Sequence, residues 1–169
     1  STYAVPQHIT WTGMDSGRVY GLYYPPQNEA FAGVGLPPLV VMVHGGPTSQ
    51  RVAAFNAGVQ FFTNRGYAVL DVNYRGSTGY GRDYRNRLRG NWGVHDVQDS
   101  VSGARHLADQ KLIDGGRVVI MGGSAGGFTV LKALEDYPGF FKAGICLYGV
   151  SNQFTLAADT SGGNRPSFG

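Results

Sequence analysis

Cysteine is almost missing from this chain of 169 residues. Cys146 stands alone, so no disulfide can close within the chain, and its place in Ala143-Gly144-Ile145-Cys146-Leu147 gives it the part of a small buried hydrophobe. Long apolar runs are missing as well. No stretch approaches the ~18 apolar residues that a membrane helix needs, and Ser1 opens no signal-peptide pattern, so a cytoplasmic protein without a membrane partner is expected. Histidine is scarce: His8, His44, His95 and His106 are the whole set, and none follows residue 106. Internal repeats and low-complexity segments are absent, and no metal or other cofactor is expected.

What is present is glycine, at 27 positions, and a modest net charge of +3. The arginines concentrate at Arg75, Arg82, Arg85, Arg87 and Arg89, with Tyr80, Tyr84 and Trp92 between them. Arginine interleaved with aromatics is how single-stranded nucleic acid is gripped, but no nucleic-acid fold signature accompanies the cluster, and that class of partner is excluded. At 42% hydrophobic residues and this length, one core and a single domain are expected.

Apolar segments alternate with helix-like ones. Residues 18–24 read as an antiparallel-type strand, 39–43 as a buried strand, 55–64 as a helix stopped by Gly66, and 67–73 as a second buried strand. A helix over 96–108 follows, with Val97, Val101, Ala104, Leu107 and Ala108 as its apolar positions. Then come a strand over 118–121, a helix over 125–134 with Phe128, Leu131 and Leu134 facing inward, and a strand over 143–147. Strand-helix alternation predicts an α/β fold, a mostly parallel sheet covered by helices on both faces.

The chemistry concentrates where the strand over 118–121 meets the next helix. Gly122-Gly123-Ser124-Ala125-Gly126 places a serine inside Gly-x-Ser-x-Gly, the nucleophile elbow of an α/β-hydrolase. So many glycines make chance matches common, but the strand before and the helix after supply the context the motif requires. Ser124 is the candidate nucleophile; the plainer alternative is a glycine-rich turn with serine capping the helix. Upstream, the buried strand over 39–43 runs into His44-Gly45-Gly46-Pro47. In this fold a developing oxyanion takes one backbone N–H from the residue after the nucleophile, here Ala125, and a second from a His-Gly-Gly loop of this kind. A tight turn is the alternative reading of that loop.

Five segments now stand in order: His44-Gly45-Gly46-Pro47, Asn73-Tyr74-Arg75-Gly76-Ser77-Thr78-Gly79-Tyr80-Gly81, Trp92-Gly93, Asp96-Val97-Gln98-Asp99 and Gly122-Gly123-Ser124-Ala125-Gly126-Gly127-Phe128. In these the chain resembles the catalytic domain of prolyl oligopeptidase family serine peptidases, nearest the acylaminoacyl-peptidase and dipeptidyl-peptidase-like members, over residues 18 to 158. The resemblance implies an α/β-hydrolase fold, peptide or acyl-peptide substrates, and Gly46, with Gly45 next, as the second oxyanion donor. It also implies that 1–169 is part of a catalytic domain, without the β-propeller that accompanies it in many relatives.

A triad in this fold runs Ser, then Asp or Glu, then His. No histidine follows Ser124, and 45 residues remain after position 124 of 169. In the family the acid and the histidine lie further on, so C-terminal strands are expected to be missing and this chain alone to be nearly inactive. Asp159 is a candidate acid, with an ordinary loop aspartate as the alternative. His44 is expected to brace its loop. Asp99, Ser102 and His106 share a helix face at three- and four-residue spacing, which imitates a triad, but a solvated helix face offers neither oxyanion donors nor a cleft. Arg75 is expected to pair with Asp96 or Asp99, and Asp71 to be a satisfied buried acid. Tyr148 and Phe154 are candidates for the substrate pocket. Two other readings stay open: a carboxylesterase of the same fold, and a non-catalytic chain that forms a homo-oligomer or completes its sheet with another chain, because the strand over 143–147 would present an unpaired edge.

Overall fold

The structure is a computed structural model that describes residues 4–28, 34–43, 49–73, 95–123, 125–148 and 153–158. Within these lie seven strands, β1 Gln7–Thr12, β2 Arg18–Tyr24, β3 Leu39–Val43, β4 Ala68–Asn73, β5 Val118–Gly123, β6 Ala143–Tyr148 and β7 Gln153–Ala158. Three helices accompany them: α1 Ser49–Thr63, α2 His95–Asp109 and α3 Ala125–Asp136.

The strands form one sheet in the order β1-β2-β4-β3-β5-β6-β7. Its centre, β4-β3-β5-β6, is parallel throughout; β1, β2 and β7 flank it antiparallel. β3 is Leu-Val-Val-Met-Val and buried at every position, as a strand covered on both faces must be. Leu39, Val41 and Val43 pack with Val97, Val101 and Leu107 of α2 and Val130 and Ala133 of α3. Val40 and Met42 pack on the other face with Val59 of α1. The α/β-hydrolase expectation of a parallel sheet with helices on both faces is met.

Local chemistry sets the element ends. Gly66 takes φ 88°, its N–H bonds the Thr63 carbonyl, and the Tyr67 N–H reaches the Phe62 carbonyl. This Schellman arrangement needs a residue free of Cβ at the left-handed position, and it turns α1 directly into β4. α1 begins at Ser49, earlier than its apolar pattern suggests, and β5 runs two residues past the expected end, to Gly123.

Three expectations are corrected. β6 is not an open edge, because β7 pairs along it, with Phe154 opposite Leu147. Phe128 and Leu131 do not face inward; they are 51% and 38% exposed, while Gly127, Val130 and Ala133 are buried. The phase is set by close approach: Leu134 and Val130 stand over Gly144 of β6, where an added Cβ would lie 2.6 Å from Leu134 Cδ1 and 2.8 Å from Val130 Cγ1. Nor is the polar face of α2 solvated. Asp99 is fully buried, and Trp11 of β1 lies over this face, donating from Nε1 to Ser102 Oγ at 2.9 Å and stacking on His106 with centroids 6.1 Å apart. Among the described residues no helix is long and apolar enough to cross a membrane.

Candidate active site at the carboxyl ends of the parallel strands

The chain passes from β3 to β4 on one side, then crosses to β5 and β6 on the other. The order therefore reverses between β3 and β5, and in open α/β sheets ligands bind in the crevice outside the carboxyl ends at such a switch point. The two strands are in parallel register, Met42 beside Met121 and Val43 beside Gly122. The ends of β3 and β5, at Val43 and Gly123, therefore lie on adjacent strands, whose backbones are ~4.8 Å apart.

β5 ends at Gly123 and α3 begins at Ala125, so a single position separates strand from helix. That is the strand-turn-helix context the elbow motif requires. Ala125 opens the helix, and its N–H is among the four at a helix start with no intrahelical acceptor. Such a group sits at the positive end of the helix dipole and can donate to an oxyanion. Ser124 itself lies outside the described residues, as do Gly46, Gly45, His44, Arg75 and Asp159.

Tyr148 is the last residue of β6, at the same sheet edge, in register with Gln153; Phe154 is one position further along β7, in register with Leu147. The backbone brings these two positions onto neighbouring strands at the carboxyl edge of the parallel centre. Asp99, Ser102 and His106 make no triad: Ser102 Oγ accepts from Trp11 and donates to the Asp99 backbone carbonyl at 3.2 Å.

Glycine and small residues bring α3 down onto the strands that carry the site. Gly127 is buried, with Gly122 O and Cys146 Cβ 3.8 and 3.9 Å from where its own Cβ would be. The Cys146 thiol donates to the Gly127 carbonyl at 3.6 Å, so this cysteine is the buried small hydrophobe expected, with its one donor satisfied. A contact that sequence reasoning missed joins the two helices on this face. Thr129 Oγ1 of α3 donates to Asp96 Oδ2 of α2, and both side chains are 1% exposed. The sequence marks Asp96 as part of the Asp96-Val97-Gln98-Asp99 segment and as a partner for Arg75; an acid in the first turn of a helix ordinarily faces water, and only the fold reveals its burial.

The comparisons with known proteins agree with this geometry. Over 154 residues the chain is 36% identical to the acylamino-acid-releasing enzyme of Sus scrofa, covering 91% of this chain and 20% of that protein. It is 40% identical over 119 residues to dipeptidyl aminopeptidase BIII of Pseudoxanthomonas mexicana, covering 70% and 17%. Among solved structures, a puromycin-hydrolyzing peptidase of Mycobacterium tuberculosis superposes with a TM-score of 0.76 at 40% identity, covering 85% of this chain and 22% of that one. An acylaminoacyl peptidase in complex with Z-Gly-Gly-Phe-chloromethyl ketone superposes with a TM-score of 0.68 at 29% identity, covering 84% and 22%. The chain thus spans about a fifth of the length of the relatives it matches. Residues 53–163 match the prolyl oligopeptidase family, and with the α/β-hydrolase architecture of the described residues, the chain belongs to that family of serine peptidases.

Proposed function

We propose that the protein carries the nucleophile and oxyanion site of a serine peptidase that cleaves peptides or acyl-peptides. Ser124 Oγ attacks the scissile carbonyl carbon, and the carbonyl oxygen becomes an oxyanion held by the N–H groups of Ala125 and Gly46. The serine proton passes to a histidine base and on to the leaving amine as the C–N bond breaks, which leaves an acyl-enzyme that water then hydrolyses. No histidine follows Ser124 in this chain, so the base is supplied by residues outside it. Tyr148 and Phe154 are the positions proposed to wall the substrate pocket. The ligand of the solved acylaminoacyl peptidase supports a peptide-like substrate.

The observation that carries this reading is the register of Val43 with Gly122, together with the single residue between β5 and α3. A fluorophosphonate probe tests it. Labelling of the 169-residue chain is expected to be confined to Ser124, to vanish in Ser124→Ala, and to run orders of magnitude slower than in a complete serine peptidase. Rapid stoichiometric labelling of Ser124 would contradict the missing base, and labelling that survives Ser124→Ala would contradict the nucleophile.

A further inference from the structure

α3 sits on the sheet through apolar residues and glycine, with Val130 and Leu134 over Gly144 and Gly127 beside Cys146. Contacts of that kind hold a helix down and choose its inward face, but they are non-directional and do not by themselves fix its fine axial position. Among the described residues one side-chain hydrogen bond joins α3 to another helix, and it is charge-assisted: Thr129 Oγ1 donates to the carboxylate of Asp96. A helical threonine can satisfy its hydroxyl on the carbonyl four residues back, here that of Ala125. Thr129 instead reaches across to a different helix. It lies five residues after Ser124, within the first two turns of the helix that the elbow opens.

The Asp96 carboxylate is expensive where it stands. It is 1% exposed, and among the described residues its second oxygen, Oδ1, is buried without a hydrogen bond. A buried acid with incomplete partners costs stability, and an apolar residue of similar size is often neutral or better in such a place. Stability therefore gives no reason for an acid here. Its own backbone is fixed, since Ser100 Oγ donates to the Asp96 carbonyl at 2.8 Å, so it offers Thr129 a firm anchor.

We propose that Asp96 is a positioning residue for the elbow: by holding Thr129 it sets the rotation and axial position of α3, and with them the direction of the Ala125 N–H and the placement of Ser124. The proposal rests on the reading of Ser124 as nucleophile and Ala125 as oxyanion donor. Misplacement by about 1 Å at a reacting centre can cost ~100-fold in rate, so a directional anchor one turn beyond the elbow has a function that packing alone does not supply.

Amide hydrogen exchange on the whole 169-residue chain tests it with no requirement for turnover. Thr129→Val keeps the side-chain shape and removes the hydroxyl, and Asp96→Asn weakens the acceptor. Peptides covering residues 122–131 should exchange about tenfold faster or more in both variants, the factor implied by losing a hydrogen bond to a charged group, while those from β3 and β4 keep wild-type rates. Thr129→Ser should restore the wild-type pattern. An unchanged rate over 122–131, or an equal acceleration of all segments as from general destabilisation, overturns the proposal. Should Asp96→Asn fail to fold, Thr129→Val and its serine rescue decide alone. Loss of fluorophosphonate labelling in Ser124→Ala reports on the nucleophile separately, so either idea can fail without the other.

Discussion

Gly144 of β6 lies directly beneath Leu134 of α3: a Cβ at position 144 would stand 2.6 Å from Leu134 Cδ1 and 2.8 Å from Val130 Cγ1. The leucine tip can swing aside, but the β-branched valine cannot. Gly144→Ala is therefore expected to cost about 1 kcal/mol and Gly144→Val about 3 kcal/mol. Urea denaturation of the two variants checks the order, and equal stability of all three proteins would show that α3 does not press on the strand.

The inward phase of α3 makes a second, opposite pair of expectations. Val130→Ala removes buried methyl groups and should cost about 2 kcal/mol, whereas Phe128→Ser alters a half-exposed ring and should stay within about 0.5 kcal/mol. Chemical denaturation distinguishes them. A larger loss at Phe128 would restore the phase that hydrophobicity alone suggests.

Trp11 joins β1 to α2 across 91 residues of sequence. Its ring fills space kept open by glycine, since a Cβ on Gly103 would stand 2.7 Å from Trp11 Cζ2. Trp11→Ala should cost about 3–5 kcal/mol, and Trp11→Phe about 1–2 kcal/mol through the lost Nε1 donor and a smaller ring. Equilibrium unfolding followed by circular dichroism measures both.

These residues also mark where the sequence was legible and where it was not. The central strands and the abrupt passage from β5 to α3 could be read because buried parallel strands are continuous apolar runs and glycine marks a tight strand-to-helix junction. β7 is the strand that the sequence reading lacks: Gln153-Phe154-Thr155-Leu156 alternates, but four residues are a short signal, and the strand is completed by pairing with β6. The polar face of α2 looked solvated because its cover, Trp11, is distant in sequence. Hydrophobicity alone places Phe128 and Leu131 inward, but close packing turns Val130 and Leu134 of α3 onto Gly144 instead. The Asp96–Thr129 contact joins two helices, and nothing local to either announces it.

Alkaline pH probes β2. Burial raises the Tyr23 phenol above its ordinary value of 10.0, and burial followed by the nearby Asp71 charge raises that of Tyr24. The native state therefore keeps both phenols neutral where the unfolded chain ionises them. That contribution is fully present below pH 10.0 and is lost as pH rises from there through the native values. Melting temperatures should fall progressively above about pH 10, and Tyr24→Phe should flatten the fall. A variant with the wild-type slope would exclude Tyr24 from it.

The most direct measurement is a crystal structure that fixes Ser124 Oγ and the amides of residues 46 and 125. The account predicts Oγ open to the crevice between β3 and β5, with both N–H groups converging on one point ~3 Å from each. An Oγ packed into the interior, or a residue 46 amide directed away from that point, would contradict it.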